Sequence, residues 1–180
     1  MSRFEEKQLE REEIFDGAVL HVVKDKVLLP DGNTSYREFC LHKGAVAVIP
    51  LTDENEVILV RQFRYAHHRE FLEIPAGKFD FIGEDPLEAA KRELSEETGA
   101  VAKNFVHLGV LDTTPALIDE KIHMFLAEGL TFGESHPDED EFLSVEKIPL
   151  KDLVDMVMAG EIRDAKTQIA ILKAAKIRGI

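Results

Sequence analysis

The alternation of apolar and polar residues sets the first elements. Residues 1–15 are polar with few apolar anchors and predict an extended or loosely held lead-in. Over 18–29 the pattern alternates like a strand, breaks at the turn Pro30-Asp31-Gly32-Asn33, and resumes over 35–41, which predicts a hairpin. Residues 44–51 are almost wholly apolar, as in a central strand covered on both faces. Asp53-Glu54-Asn55 turns the chain into a strand over 56–63 with Arg64 at its end, and 70–74 reads as a short strand. His67 and His68 between them would point to opposite faces of a strand. Residues 104–111 and 121–127 read as strands around the loop 112–120, and 141–148 as a last strand. The stretch 133–141 is polar, acidic and turn-rich, a loop and a candidate mobile lid. Two helical periods close the chain. The first covers 150–159 with Leu153, Val154, Val157 and Met158 inward; Asp164 caps the second, in which Ala165, Ile169 and Leu172 share a face. Strands followed and interrupted by helices imply an α/β fold, a mixed sheet with helices on its faces.

The clearest helix lies at the centre of the chain. Asp85 stands at its N-cap, Pro86 at the first helical position and Glu88 where a capping box needs an acid, and Gly99 stands where a left-handed residue closes the helix. At about 100° per residue, Leu87, Ala90 and Leu94 form the inward stripe. Glu93, Glu96 and Glu97 cluster beside that stripe, whereas Glu88, Lys91 and Ser95 take the solvated face. Like charges at this spacing destabilise a helix by about 0.2–0.5 kcal/mol per pair, and acids near its C-terminus oppose the macrodipole. Arg92 neutralises only part of this. A solvated acidic face is the ordinary reading of three glutamates; their place beside the buried stripe favours a divalent cation with hard oxygen ligands, and Mg²⁺ suits such a set.

Composition narrows the classes. The chain has 180 residues, 44% hydrophobic and 32% charged, ordinary values for one soluble globular unit. Twenty-two basic against 35 acidic residues give a net charge of −13, which argues against nucleic acid or an anionic membrane as partner. Cys40 is the only cysteine, so no intrachain disulfide forms, and no apolar run approaches membrane length. The charged N-terminus lacks an apolar signal core, and a cytoplasmic location follows as the default. The seven histidines lack metal-ligand spacing, and neither a phosphate-binding Walker pattern nor a GxSxG nucleophile is present.

Gly77, Glu84 and the run Arg92-Glu93-Leu94-Ser95-Glu96-Glu97-Thr98-Gly99-Ala100 resemble the box of the Nudix hydrolases. One departure stands out: six residues, Lys78 to Gly83, separate Gly77 from Glu84, where the family pattern has five. The extra residue falls in the loop before the helix and leaves the carboxylate spacing unchanged. The stretch TTPALIDEKIHMFLA, with Thr114-Pro115-Ala116 and the acidic pair Asp119-Glu120, is similar to a segment of the ADP-ribose pyrophosphatase branch. So are HKGAVAVIPL, the strand ending QFR, EIPAG, the DEDEF loop and the terminal DAKT helix.

The resemblance implies a Nudix-type α/β/α sandwich with a mixed sheet over 43–180. An N-terminal antiparallel hairpin extension over 1–42 is expected to dimerise. It implies Mg²⁺-dependent hydrolysis of ADP-ribose to AMP and ribose 5-phosphate, with Mn²⁺ as a substitute ion. The alternatives are a broader nucleoside diphosphate sugar hydrolase, acting on ADP-glucose or GDP-mannose, and a non-catalytic ADP-ribose-binding module. It also implies metal ligation by the Ala76 carbonyl with Glu93, Glu96 and Glu97, the last of these also catalytic. Arg64 matches the arginine that contacts phosphate, and Glu73 and Glu120 join the substrate-binding set. Arg37 and Glu38 match positions brought near the nucleotide from the second subunit of a homodimer. Glu141 and Glu139 are the candidate general bases. Val19, Val22, Val23 and Phe39 are the apolar residues expected to lack cover in the extension.

Overall fold

The structure, a computed structural model, describes residues 2–136 and 142–180. It divides into two compact units, one formed by residues 1–43 with 112–121, the other by 44–111 with 122–180. The smaller unit is therefore not the N-terminal hairpin alone; it also takes in the loop 112–121.

In the smaller unit, β1 (Lys7–Asp16), β2 (His21–Leu28) and β3 (Thr34–Leu41) form an antiparallel sheet in that order. The hairpin β2–β3 pairs without a break from His21↔Leu41 to Leu28↔Thr34. Its turn is local chemistry. Gly32 has φ +87°, and Asp31 accepts from the Asn33 backbone N–H at 3.0 Å. The lead-in is a full strand, β1, paired to β2 with irregularities at Gln8/Glu10 and Glu13/Phe15. Its lack of period is explained by exposure, since every residue of β1 is solvent-exposed and none is selected for burial. Arg11 fastens β1 to β2 by a two-pronged bond to the buried Asp25, both arms 2.7 Å. That bond, more than any other influence, holds the Asp25 carboxyl below its ordinary range. Of the residues expected to lack cover, Val19 is exposed and Val22 and Phe39 are half-buried, but Val23 is buried. The turn at Thr114 closes by backbone bonds from Leu117 and Ile118, and Cys40 N–H donates to the Leu117 carbonyl at 2.8 Å.

The larger unit is built on a mixed sheet. Its strands are β4 (Ala45–Leu51), β5 (Glu56–Arg64), β6 (Arg69–Glu73), β7 (Ala76–Lys78), β8 (Ala100–Asp112), β9 (Lys121–Phe132) and β10 (Leu143–Pro149). The order is β10-β5-β4-β9-β8, with β6 on β5 and β7 on β4. β4 runs parallel to β9, and β5 antiparallel to β10 and β6. His67 and His68 are not on a strand: Tyr65–His67 is a single 3₁₀ turn, and His68 follows in the left-handed region at φ 50°.

Among the described residues three helices cover the sheet: α1 (Pro86–Thr98), α2 (Leu150–Met158) and α3 (Ala165–Arg178). The wholly apolar β4 now has its reason. Ala45, Ala47, Ile49 and Leu51 face one core with Leu150 and Leu153 of α2 and Ile171 and Ala174 of α3. Val46 and Val48 face the other, with Ala89, Ala90 and Leu94 of α1. This is the expected α/β/α sandwich. Two inward faces differ from expectation. Met158 is exposed, and α3 buries Thr167, Ala170, Ile171, Ala174 and Ala175, with Ile169 half-buried against the same core as expected but Ala165 and Leu172 exposed. Apolar residues lie on both sides of α3, so periodicity alone does not choose a face; small residues that let the helix approach the sheet do. No helix among the described residues is long and apolar enough to cross a membrane.

Candidate active site

The helix α1 is positioned by its ends. Asp85 accepts from the backbone N–H groups of Leu87 and Glu88, at 2.9 and 3.1 Å. Glu88 itself pairs with Lys91 at 2.7 Å. At the other end Gly99 sits at φ +67°, where a Cβ would lie 2.5 Å from the Gly133 carbonyl oxygen, so only glycine closes the helix there. His136 N–H donates to the Glu96 carbonyl at 2.9 Å and ties the chain after β9 to this helix end.

Glu93 and Glu97 are buried and Glu96 is half-buried, beside the stripe of Ala90 and Leu94. The short strand β7 lies against them. Ala76 N–H donates to Glu97 Oε2 at 3.3 Å. A Cβ on Gly77 would meet the Glu93 carboxylate at 2.0–2.2 Å, so the glycine is what lets β7 and the carboxylate share the space. Arg92 Nη1 donates to Glu93 at 2.8 Å and to Glu96 at 3.2 Å; Nη2 reaches the Lys78 carbonyl at 3.3 Å and Glu84 at 3.5 Å. Its Nε is buried without a hydrogen bond, with Asp80 at 3.4 Å as an ion-pair partner. Burial alone would lower the Arg92 pKa, but Glu93, Asp80 and Glu84 together raise it above the ordinary arginine value. Asp80 belongs to the lengthened loop, and its backbone N–H donates to Glu84 at 2.8 Å.

Among the described residues no three His, Cys, Asp or Glu side chains converge to hold a metal ion. Glu93 and Glu96 are turned onto Arg92. The donor set still fits a hard divalent cation by type and spacing, three carboxylates within little more than one helical turn beside β7, with Arg92 occupying the positive-charge role.

Arg64 ends β5, and Glu73 ends β6 beside it. Arg64 Nε and Nη2 each donate to Glu73 at 2.8 Å, and Lys166 of α3 donates to the same carboxylate. Glu73 is 3% exposed. Burial would raise its pKa; the Arg64 hydrogen bonds and the Lys166 charge outweigh that and bring it to about 2. The Glu73 bond raises Arg64 in turn, and the charge of Glu97 adds to it. Glu73, one of the residues the resemblance places in the substrate-binding set, has its oxygens bonded to Arg64 and Lys166.

Arg37, Glu38 and Glu120 belong to the smaller unit. Arg37 pairs with Glu6 at 2.5 Å and donates to the Tyr36 carbonyl at 2.9 Å. Glu38 is exposed, 4.0 Å from Lys24. Glu120 accepts from the Thr113 hydroxyl at 2.9 Å and lies 3.6 Å from His42 Nε2. Glu139 and Glu141 lie outside the described residues. The sequence reading missed Lys166 and Asp80. Nothing in the spacing of the DAKT segment connects Lys166 to Glu73, 93 positions away.

Comparison with known proteins adds the family. The NUDIX domain model matches residues 41–169. The chain is 44% identical to the ADP-ribose pyrophosphatase of Bacillus subtilis, over 95% of this chain and 93% of that one. It is 42% identical to the methanol dehydrogenase activator of Bacillus methanolicus, over 93% and 91%. A solved structure of an ADP compounds hydrolase matches with a TM-score of 0.85 over 99% of this chain and 97% of that one; at 24% identity this likeness speaks for the fold alone. With the domain matched across most of its length, and Gly77 and the α1 carboxylates at the box positions, the chain belongs to the Nudix family.

Proposed function

We propose that this protein is a pyrophosphohydrolase that cleaves ADP-ribose to AMP and ribose 5-phosphate with Mg²⁺, acting in the cytoplasm. The observation that carries the reading is the 44% identity to an ADP-ribose pyrophosphatase across nearly the whole chain. The buried Glu93 and Glu97 at β7 support it, since a module that only binds has no need to keep such a costly pair. Catalysis in this family depends on a divalent cation; the choice of Mg²⁺ over Mn²⁺ belongs to the proposal. Ala76, Glu93, Glu96 and Glu97 would hold it. The chemistry such a cation supplies is Lewis acidity, which offsets phosphate charge and makes hydroxide available near neutral pH.

The chain's own residues do the rest. Arg64 offers phosphate oxygens the edge of its guanidinium that Glu73 leaves uncommitted. Arg92, held also by Glu84 and Asp80, keeps the acidic helix end neutralised until the carboxylates are needed elsewhere. Glu141, or Glu139 beside it, serves as the general base. A homodimer is part of the proposal, with Arg37 and Glu38 serving substrate bound by the second copy. Its support is the apolar surface that the smaller unit exposes at Leu9, Ile14, Phe15, Val19 and Leu20. A monomer in sedimentation equilibrium at assay concentration, with full activity, refutes the dimer.

Product analysis tests the reaction. ADP-ribose, ADP-glucose and GDP-mannose are incubated with and without Mg²⁺. AMP and ribose 5-phosphate from ADP-ribose alone, only with metal, is the expected result. Equal turnover of all three supports the broader nucleoside diphosphate sugar hydrolase. Binding of ADP-ribose without turnover supports the sensing module.

A further inference from the structure

Glu73 joins two elements that sequence keeps far apart. Arg64 grips both of its oxygens, at 2.8 Å each, and Lys166 donates to one of them. Lys166 is itself steadied by Asp164 at 3.1 Å. Asp164 caps α3, accepting from the backbone N–H and the hydroxyl of Thr167 at 2.9 and 2.6 Å. The Thr167 hydroxyl in turn accepts from the N–H of Ile74, the residue after Glu73, at 3.0 Å. The first turn of α3 is thus bonded to the strand end that carries Glu73. Arg64, Lys166 and Glu73 line one cleft of about 340 Å³ with Tyr65, His67 and Phe71.

Charge gives this arrangement a purpose that packing does not. A buried ion pair adds little stability over apolar residues of the same size. Two-pronged pairing with Glu73 alone would make Arg64 a closed, neutral pair with weak attraction for a phosphate. Lys166 supplies a second positive charge to the same carboxylate, while the charge of Asp164 is met by the N–H groups opening α3. Arg64 Nη1 makes no hydrogen bond among the described residues, so that edge of the guanidinium stays open to a phosphate oxygen.

We propose that Lys166 is a positioning residue for pyrophosphate hydrolysis: through Glu73 it fixes the Arg64 guanidinium and keeps its charge available to the substrate. This rests on the proposed function, in which Arg64 contacts the pyrophosphate. Its effect falls on binding more than on bond cleavage.

The test compares Lys166→Met, Lys166→Gln and Lys166→Arg with the wild type in two assays. One is steady-state hydrolysis of ADP-ribose; the other is calorimetric binding of ADP-ribose to metal-free protein in EDTA. Lys166→Met and Lys166→Gln are expected to raise KM and the metal-free Kd about tenfold, equivalent to about 1.4 kcal/mol. Their kcat should stay within about threefold of wild type, the pattern of lost ground-state binding, and Lys166→Arg should restore both constants. Lys166→Gln retains a donor to Glu73, so it decides the matter if Lys166→Met does not fold. Unchanged KM and Kd in the folded neutral variants, or no rescue by Lys166→Arg, overturns the proposal. A wild type that neither binds nor hydrolyses ADP-ribose refutes the proposed function instead, which separates the two failures.

Discussion

Gly77→Ala separates the chemistry of the site from the stability of the fold. A Cβ at position 77 would lie 2.0 Å from Glu93 Oε1 and 2.1 Å from its Cδ, against an ordinary contact distance of roughly 3.5 Å. The Glu93 carboxylate must therefore retreat by about 1.5 Å. The obstacle is the far end of a flexible side chain, and Gly77 has no left-handed φ, so the backbone accepts alanine. Alanine also reduces the entropy of the unfolded chain, worth about 0.4–1 kcal/mol, which offsets the loosened Arg92–Glu93 pair. Net stability should change by less than about 1 kcal/mol. Activity should not be spared, because misplacement of a reacting group by about 1 Å can cost on the order of 10²-fold. The assays are urea denaturation, turnover of ADP-ribose across a metal titration, and metal binding by calorimetry without substrate. A variant with a near wild-type unfolding midpoint, weakened metal binding and turnover down about 10²-fold is expected. Wild-type turnover and metal affinity in Gly77→Ala would refute the placement of Glu93 as a ligand, and with it the reason for glycine in the box.

The other predictions use the same separation. Glu97→Gln keeps the side-chain shape while removing one buried charge, so turnover should collapse with folding intact; near wild-type turnover at saturating Mg²⁺ would remove Glu97 from the ligand set. The Glu73 carboxyl has its folded pKa lowered from 4.5 to about 2. Its stabilising contribution, on the order of 3 kcal/mol, is therefore full above about pH 5 and lost as pH falls toward 2. Glu73→Gln should lack that part of the acid slope in urea titrations, and an identical slope in both proteins would show that Glu73 is not the group titrating. Glu141→Gln, or failing that Glu139→Gln, should lower kcat by about 10²–10⁴ with little change in KM. If both, and then the double variant, stay within about threefold of wild type, the base lies elsewhere and Glu120 is tested next.

What sequence alone determined here is what neighbouring residues decide among themselves. The start of α1 at Asp85 and its end at Gly99 were legible because caps satisfy backbone groups within a few positions. The hairpin turn at Asp31-Gly32-Asn33 was legible for the same reason, and the unbroken apolar run of β4 because both faces of that strand meet a core. The place of Glu93 and Glu97 beside the buried stripe followed from helical geometry. Tertiary structure decided everything that needed a partner distant in sequence. β1 carries no burial period because its pairing with β2 rests on backbone groups and the Arg11–Asp25 bond, and none of its residues is buried. The inward face of α3 was chosen by the sheet it packs on, as both of its sides carry apolar residues. Glu73 is bonded to Arg64 from β5 and also to Lys166, 93 residues later, because α3 brings its first turn to the same carboxylate. An ion pair across such a gap has no signature in spacing. Its geometry exists only once β5, β6 and α3 are packed, and the electrostatics of the site depend on it.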